Sequence, residues 1–200
     1  PELAKAWGVE NVVVAGGAGD NAATACGLGI TRPGDAFISL GTSGVVFTTT
    51  SKFASNTEGA VHSFCHAVPN TWHQMGVILS ATDSLNWLSS LVGQSPKDLS
   101  ALVPENPNEP SPVLFLPYLS GERTPHNNPN ASASFHGLRR NHDLGDLSQA
   151  VMEGVAFALL DSKLAINASG VEFDRVWMAG GGSQSRAWLN IIAAVTGVTL

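Results

Sequence analysis

The sequence predicts an α/β domain in which hairpins contribute strands to the sheet. Three short runs of apolar, strand-like residues each end in a glycine-containing turn, and helical patterns follow two of these turns. The remaining turn joins two strand-like runs and has the residue types of a β-hairpin. The turns are AGGAGDN at residues 15–21, LGTSG at residues 40–44 and AGGGSQS at residues 179–185. Such a mixture is typical of helices packed on a sheet that also contains hairpins.

The composition describes a globular chain with a substantial core. Of its 200 residues, 44% are hydrophobic and only 13% are charged, which argues against disorder. The net charge of -6 and the scattered basic residues predict no nucleic-acid partner. Two cysteines are too few for a disulfide framework, so we expect a reducing, cytoplasmic location. We expect no membrane association, because no apolar run approaches the ~20 residues of a membrane span.

Local patterns assign the first half of the chain. Alternating apolar residues bounded by turn residues predict strands, and apolar residues at helical spacing predict helices. In order, these segments are a strand at Val12–Val14, a helix at Asp20–Gly29, a hairpin within 35–50 that turns at Gly41–Gly44, strands within 60–68 and 72–79 joined at Pro69 and Asn70, and a helix from about Thr82 to Leu91.

The second half contains longer elements. In order, the patterns predict a proline-rich loop at 104–112, a buried strand within 113–119, a long polar loop at 120–137, a helix at Leu144–Ser169 that ends before Gly170, and a strand, glycine turn and helix within 175–197. The first residues, PELAKAWG, have a helical pattern, and the last, GVTL, have the pattern of a strand that begins. We therefore expect the chain to be a piece of a longer protein.

The glycine turns have two interpretations. Glycine forms tight turns in proteins of every kind, so a single turn is weak evidence of a ligand. Glycine also lets the backbone approach a ligand closely, and amides at a helix N-terminus attract phosphate. Three such turns in one domain, two of them before helices, favour a nucleotide site.

The first turn also matches a dinucleotide-binding fingerprint, with Gly17, Gly19 and Ala22 at the required spacing. Two features oppose this interpretation. Asp20 would place a negative charge where the pyrophosphate should lie, and the next strand leads into a hairpin with no acidic residue to bind a ribose. A dehydrogenase is therefore disfavoured.

Asp20 has two possible roles that the sequence leaves open. An aspartate at the start of a helix is often an N-cap, which would make Asn21 and the glycines incidental. In the alternative, the amides of the helix N-terminus keep the carboxylate ionised. In a nearly dry cleft that carboxylate accepts a proton from a substrate hydroxyl and acts as a general base.

Two other polar clusters have ordinary explanations beside functional ones. His62, Cys65, His66 and His73 suggest a zinc site, but alternation along a strand points Cys65 away from His62 and His66, which disfavours zinc. The cluster Gly121–Asn128 is either a solvated loop or a loop made rigid by a proline and by a buried pair between its glutamate and its arginine.

Four segments, in order and spacing, resemble the FGGY carbohydrate kinases. They are AGGAGDNAATACGLG (15–29), SLGTSGVVF (39–47), FLPYLSGERTPHNNP (115–129) and MAGGGSQSRAWLNIIA (178–193). The resemblance covers nearly the whole chain and implies a two-domain fold of the actin and hexokinase type, related to ribonuclease H, that is only partly present. Residues 1–30 would end an N-terminal sugar-binding domain, and residues 31–200 would form most of a C-terminal nucleotide-binding domain.

The resemblance also implies roles for individual residues. Asp20 is expected to be the catalytic base, and Asp20 and Asn21 are expected to contact the sugar. The residues expected to bind the nucleotide are Gly41, Thr42 and Ser43 in the hairpin turn, together with Thr82, Gly180, Gly181, Gly182, Ser183 and Arg186.

The implied activity is ATP-dependent phosphorylation of a sugar, with ATP and Mg²⁺ as cofactors and no metal ligand assigned on this chain. The runs GERTPHNNP and HSFCHAVP resemble members that convert D-xylulose to D-xylulose 5-phosphate. Another pentulose or a polyol is an alternative acceptor, and a non-catalytic nucleotide-binding domain of the actin type is an alternative function. We expect a homodimer in the full-length protein. These 200 residues alone are not expected to phosphorylate sugar, because they lack the family's N-terminal phosphate loop and most of its sugar pocket.

Overall fold

The computed structural model describes residues 2–10 and 16–200 of the chain. Strands and helices are mixed along it, with four consecutive strands between α2 and α3, as expected of an α/β domain that contains hairpins. In order they are α1 (Glu2–Ala6), α2 (Asp20–Gly27), β1 (Ala36–Leu40), β2 (Gly44–Thr50), β3 (His62–Cys65), β4 (Trp72–Ile78), α3 (Thr82–Val92), α4 (Pro96–Ala101), β5 (Leu114–Leu116), β6 (Ser134–His136), α5 (Leu144–Asn167), β7 (Trp177–Ala179) and α6 (Arg186–Thr196). A short 3₁₀ helix, Gly181–Gln184, precedes α6. The predicted strand at Val12–Val14 lies outside the described residues.

Five strands form one mixed sheet in the order β3-β4-β2-β1-β7. Strands β1 and β2 are antiparallel, and Leu40 pairs with Gly44 across the turn, which confirms the predicted hairpin. Strands β4 and β3 continue the antiparallel pairing, whereas β7 lies parallel to β1 on its other side. Because Ile78 pairs with Gly44, the turn Gly41–Ser43 and the end of β4 lie at the same end of the sheet.

Each face of the sheet packs on helices. On one face, Ile38 and Val46 join a core formed with α3, α5 and α6. On the other face, Phe37 and Phe47 pack with Ala25 of α2. The short helix α2 therefore lies on the opposite face of the sheet from the longer helices.

The longest helix, α5, begins and ends at strong local signals. The Asp143 carboxylate accepts the Asp146 amide at 3.0 Å, and the Asp146 carboxylate accepts the Asp143 amide at 3.0 Å, which forms a capping box. Beyond Asn167 the chain turns away at Gly170, which has a φ of 83°. The helix predicted at 144–169 is confirmed to within two residues. Neither α5 nor another helix in the described part of the chain is long and apolar enough to span a membrane.

The segment before α5 differs from the prediction in two respects. The strand predicted within 113–119 is only three residues long, and Leu114 and Leu116 are exposed while Phe115 alone enters the core. The polar loop predicted at 120–137 contains β6, which pairs with β5. The sequence hides this second strand because Phe135 is its single apolar residue.

Candidate functional site

Two turns that are distant in sequence meet at the end of the sheet. Gly180 has a φ of 88°, and a Cβ atom there would lie 2.6 Å from the carbonyl oxygen of Leu40. A Cβ atom on Gly182 would lie 2.5 Å from Leu40 Cδ2 and 2.9 Å from Thr82 Cγ2. Glycine is therefore required at both positions, because atoms of β1 and α3 already occupy the space of a side chain.

The hairpin turn is hydrogen-bonded to the start of α3. The Ala81 amide donates to the Thr42 carbonyl at 2.8 Å, and the Thr82 amide donates to the Gly41 carbonyl at 2.9 Å. These bonds occupy amides at the N-terminus of α3 that could otherwise bind a phosphate. Thr42 and Ser43 are exposed at the tip of the turn, so their hydroxyls are the groups that the turn presents to a ligand.

A cleft of about 450 Å³ opens between the glycine turn, the 3₁₀ helix and the helices α3, α4 and α6. Apolar surface with a few well-placed polar groups is typical of small-molecule sites, and here Leu85 and Trp188 are apolar residues of the lining. The lining residues are Thr82, Leu85, Asn86, Pro96, Lys97, Ser100, Gly181, Gly182, Gln184, Ser185 and Trp188.

The structure brings part of the predicted nucleotide set together in this cleft. Thr82, Gly181 and Gly182 line it. Gly180 and the turn Gly41–Ser43 are not lining residues, but they adjoin it through the contacts with Leu40 and α3 described above. The predicted residues therefore form one connected surface at the end of the sheet.

Ser183 and Arg186 are placed differently from the rest of the set. The Ser183 hydroxyl donates to the Gly180 carbonyl at 2.7 Å and so closes the glycine turn on itself. Arg186 lines a neighbouring cavity of about 490 Å³. The sequence predicts that the glycine turn leads directly into α6, and the structure differs. The 3₁₀ helix lies between them, and the Ser185 hydroxyl accepts the Trp188 amide at the start of α6.

Sequence reasoning predicted Thr82 but missed the other cleft residues on α3 and all of those on α4. The Ser100 and Ser185 hydroxyls lie 2.7 Å apart and join α4 to the start of α6, so Lys97 is brought to the rim. No glycine motif marks α4, and only its packing against the glycine turn reveals its part in the cleft. Helical spacing was the one available signal, since Asn86 follows Thr82 by one turn.

Asp20 begins α2 but does not cap it. Gly19 is the N-cap residue, and no side chain caps this helix. Asp20 is exposed, and its Oδ1 accepts the backbone amide of Asn21 at 2.9 Å and the side-chain amide of Asn21 at 3.3 Å. The geometry therefore does not support the N-cap alternative.

A second cavity, of about 360 Å³, lies beside Asp20. It is formed between the start of α2 and the edge of the sheet at β3 and β4. The lining residues are Gly19, Asp20, Asn21, Ala22, Phe64, Cys65, His73 and Met75. A carboxylate with an adjacent amide, next to an aromatic ring and a methionine, suits a small molecule that has both hydroxyl groups and C–H surface.

The two cavities share no lining residue, and they lie on opposite faces of the sheet. In β4, Met75 of the Asp20 cavity is three residues before Ile78, which pairs with Gly44 beside the hairpin turn. Three residues of strand span ~10 Å. A group bound at the hairpin must therefore reach around the end of the sheet to approach Asp20, or α2 must move toward the turn.

Two uncharged histidines, His66 and His73, pack against Phe47 on the face of the sheet that carries α2, and His73 also lines the Asp20 cavity. His73 is buried and stacks on Phe47 with ring centroids 4.6 Å apart. Burial, with a smaller effect of nearby His66, lowers the pKa of His73 to about 4. Burial also lowers the pKa of His66. Both imidazoles are therefore neutral at pH 7 and act as aromatic surface.

The loop that contains Glu122 is neither fully solvated nor held by a glutamate–arginine pair. Glu122 is only 2% exposed, and its Oε1 accepts the backbone amides of Leu79 at 3.0 Å and Arg123 at 2.7 Å. Burial raises the pKa of the Glu122 carboxyl, and these two amides partly oppose the effect. Thr124 is buried as well. Glu122 is therefore buried, as one of the two expectations requires, but its carboxylate is bound by backbone amides and not by the guanidinium group.

The zinc interpretation finds no geometry to support it. In residues 2–10 and 16–200, no three His, Cys, Asp or Glu side chains gather where they could hold a metal ion. In the strand pairing, Cys65 is opposite Trp72 while His73 is opposite Phe64.

The cleft, the hairpin and the glycine turn agree with the family to which sequence comparison assigns the chain. A family model described as the C-terminal domain of the FGGY family of carbohydrate kinases matches residues 36–200. The chain belongs to the FGGY family of carbohydrate kinases, as the sequence motifs predict.

Within this family the chain is similar to xylulose kinases. It is 47% identical over 201 residues to the xylulose kinase of Escherichia coli (strain K12) and 45% identical over 201 residues to that of Klebsiella pneumoniae. Both alignments cover 100% of this chain but only 42% and 41% of the relatives. The chain therefore spans about two fifths of the length of these curated relatives.

Solved structures confirm the actin- and hexokinase-like fold. A crystal structure of a "xyloylose kinase" from Brucella ovis superposes with a TM-score of 0.94 at 52% identity and covers 98% of this chain and 41% of that one. Xylulose kinase from Rhodospirillum rubrum gives a TM-score of 0.84 at 30% identity and covers 98% of this chain and 40% of that one.

Proposed function

We propose that the protein phosphorylates D-xylulose with ATP to give D-xylulose 5-phosphate, and that this chain supplies the nucleotide site and the catalytic base. The observation that carries the proposal is the junction of the hairpin turn, the start of α3 and the glycine turn around one cleft. The similarity to xylulose kinases supports the choice of acceptor. Because the chain spans about two fifths of its relatives, the activity is proposed for the whole protein.

The cleft is proposed to hold the base and ribose of the nucleotide against Leu85 and Trp188. The phosphates would then pass the exposed backbone of Gly180 and reach the tip of the hairpin. There the hydroxyls of Thr42 and Ser43 would meet the terminal phosphate. Ser183 keeps the glycine turn closed, and Arg186 is proposed to border the nucleotide from the neighbouring cavity.

The acceptor sugar is proposed to bind in the cavity beside Asp20. Phosphoryl transfer to an alcohol requires the hydroxyl to be aligned with the terminal phosphate and its proton to be removed as the new bond forms. The Asp20 carboxylate would take this proton. Asn21 donates to Oδ1 and so orients the carboxylate, which leaves Oδ2 for the hydroxyl. Phe64 and Met75 would exclude water from the sugar's C–H surface.

Transfer requires the two sites to approach each other. They lie on opposite faces of the sheet, and the strand segment between Met75 and the hairpin is ~10 Å long. We propose that closure of the cleft brings the start of α2 toward the hairpin turn and excludes water that would otherwise accept the phosphate. The division proposed here, residues 1–30 with the sugar domain and residues 31–200 with the nucleotide domain, places the moving boundary just after α2.

Magnesium ordinarily accompanies ATP and neutralises the charge of its phosphates. We assign Mg²⁺ no ligand on this chain and propose that it arrives as the complex with ATP.

A second candidate is a non-catalytic nucleotide-binding domain. The separation of Asp20 from the nucleotide cleft favours it, because a sensor or scaffold has no need to bring the two together. The exposed carboxylate beside a cavity, which no helix cap requires, opposes it.

A panel of acceptors distinguishes these functions. Full-length protein is assayed for ADP release with D-xylulose, other ketopentoses and polyols. The proposal predicts a kcat/KM for D-xylulose at least tenfold above that for every other acceptor. Higher activity on another pentulose or polyol would transfer the proposal to that substrate, and ADP release that no sugar stimulates would favour the non-catalytic function.

The whole protein is also proposed to be a homodimer and to act in the cytoplasm. Sedimentation velocity of the full-length protein checks the first statement, with a mass of twice the monomer expected. Fractionation of the source cells checks the second.

A further inference from the structure

The Glu122 carboxylate has no part in the proposed chemistry, yet it is one of the most buried charged groups of the chain. It is 2% exposed, and its Oε2 has no hydrogen-bond partner among the described residues. Taking a carboxylate out of water is costly, so a buried one needs a structural or functional reason. Its hydrogen bonds show what it holds in place.

The loop of Glu122 continues the sheet where β3 stops. β3 pairs with β4 only as far as Met75. Beyond this point the Thr124 amide donates to the Val77 carbonyl at 3.0 Å, and the Val77 amide donates to Thr124 Oγ1 at 3.0 Å. Two residues further along, the Leu79 amide donates to Glu122 Oε1 at 3.0 Å. Thr124 and Glu122 thus bind successive amides on the free edge of β4 and of the segment that follows it.

That segment supports the hairpin turn. Leu79 is followed by Ser80 and Ala81, and the Ala81 and Thr82 amides donate to the carbonyls of Thr42 and Gly41. Glu122 therefore binds Leu79 at one end of the segment Leu79–Ala81, and Ala81 at its other end binds the hairpin turn. A shift of Leu79 would move both the turn and Thr82 in the cleft.

The carboxylate is held firmly from its own side. The Glu122 amide donates to the Asn128 carbonyl at 2.9 Å, and the Asn128 amide donates to the Glu122 carbonyl at 2.8 Å. Gly121 has a φ of 75°, and a Cβ atom there would lie 2.7 Å from the Pro129 carbonyl oxygen. A closed loop of this kind keeps Glu122 in place before any ligand binds.

We propose that Glu122 is a positioning residue for the nucleotide: its carboxylate fixes the segment Leu79–Thr82 and, through it, the hairpin turn that faces the phosphates. The inference rests on the proposed function, because it assumes that a nucleotide binds at this turn. It predicts that Glu122 affects nucleotide binding without touching the nucleotide, and that it does not affect binding of the acceptor.

The test compares two buried carboxylates that both accept backbone amides. Glu153 is 9% exposed and accepts the Ser111 amide at 3.1 Å, but it lies in α5 and lines neither proposed site. The dissociation constant of MgADP and the KM of D-xylulose are measured for full-length wild type, Glu122→Ala, Glu122→Gln and Glu153→Ala. Gln keeps an acceptor for the Leu79 amide, so it serves as the conservative rescue.

We expect Glu122→Ala to raise the dissociation constant of MgADP about tenfold, which corresponds to about 1.4 kcal/mol. Glu122→Gln should remain within threefold of wild type and Glu153→Ala within twofold, and the KM of D-xylulose should change less than twofold in all three. Equal weakening by both alanine variants would reduce Glu122 to a general stability role and overturn the proposal, as would an unchanged dissociation constant in Glu122→Ala.

If Glu122→Ala does not fold, Glu122→Asp decides the question. It keeps the charge but withdraws the carboxylate by one methylene from the Leu79 amide, so weaker MgADP binding supports the positioning role and wild-type binding contradicts it. Wild-type protein that binds no MgADP would instead refute the proposed function itself, which separates the two failures.

Discussion

The proposed nucleotide site and the proposed acceptor site differ in how firmly contacts within the chain hold them. On the nucleotide side, the hairpin turn accepts two amides of α3, and Gly182 leaves no room for a side chain between Leu40 and Thr82. On the acceptor side, Asp20 is exposed, and within residues 2–10 and 16–200 its carboxylate is hydrogen-bonded only to the neighbouring Asn21. The proposed nucleotide site is therefore fixed by contacts within the chain, whereas the position of the proposed base depends on what closes over it.

The largest expected effect is on the loosely held side. Asp20→Asn in the full-length protein should lower kcat by ~10²–10⁴-fold, because asparagine has the shape of aspartate but cannot accept the proton. The dissociation constant of MgADP should stay within twofold, since Asp20 lies outside the nucleotide cleft. A kcat within threefold of wild type would show that Asp20 is not the general base.

The rigid side should respond to a single methyl group. Gly180→Ala places a side chain at a φ of 88° and 2.6 Å from the Leu40 carbonyl oxygen. The backbone conformation alone should cost about 1–3 kcal/mol of unfolding free energy. Gly181→Ala is the matched control, because nothing lies within 4 Å of its Cβ position, and it should change stability by less than about 0.5 kcal/mol.

Urea unfolding of the two variants side by side measures this difference. If Gly180→Ala and Gly181→Ala were equally stable, the two turns would not be packed as tightly as the contact with Leu40 indicates.

A smaller effect should separate catalysis from folding at the hairpin tip. Thr42 is exposed, and its carbonyl rather than its hydroxyl makes the bonds to α3. Thr42→Val should therefore leave the melting temperature within two degrees but lower kcat about tenfold or more, as loss of one group that stabilises transferring charge does. A variant that melts several degrees lower yet keeps full activity would assign Thr42 to the fold and not to the phosphate.

The smallest effect concerns the pH dependence of the acceptor side. The pKa of His73 is lowered by burial to about 4, so between pH 6.5 and 4 the unfolded chain binds a proton that the folded chain does not. The free energy of unfolding should therefore fall as the pH is lowered through this window. His73→Phe, which preserves the stacking on Phe47, should make the fall shallower, with His66 accounting for part of what is left. An unchanged slope in chemical unfolding at several pH values would contradict a neutral, buried His73.

Much of the fold follows from local patterns in the sequence. The hairpin was predictable because LGTSG separates two apolar runs, and α5 because its apolar residues repeat at helical spacing up to Gly170. Strand β6 was not predictable, since a single Phe135 between polar residues gives no alternation. The burial of Glu122 could not be predicted from the sequence either. A run of polar residues such as GERT occurs both in solvated loops and in loops that bind the edge of a sheet.

The site was predictable where a motif carries it. Gly181, Gly182 and Thr82 line the cleft, and Gly180 and the hairpin turn adjoin it, because Gly180 and Gly182 let the glycine turn approach Leu40 and Thr82 closely. Asn86, Lys97 and Trp188 were missed, since their place in the cleft depends on how three helices pack and not on a motif. The sequence also could not predict that Asp20 and the cleft lie on opposite faces of the sheet, because the turns AGGAGDN and AGGGSQS have similar residue patterns.

The central claim is that the nucleotide binds in the cleft lined by α3, α4, the glycine turn and α6. Blocking that cleft tests the claim most directly. Asn86→Trp adds an indole from an exposed position of α3 that lines the cleft, whereas Leu91→Trp adds one to the same helix at an exposed position outside it. Titration calorimetry with MgADP should show wild-type affinity for Leu91→Trp and a loss of at least tenfold for Asn86→Trp, with both variants melting within two degrees of wild type. Equal affinity of Asn86→Trp and wild type would contradict the account, because the nucleotide would then bind elsewhere.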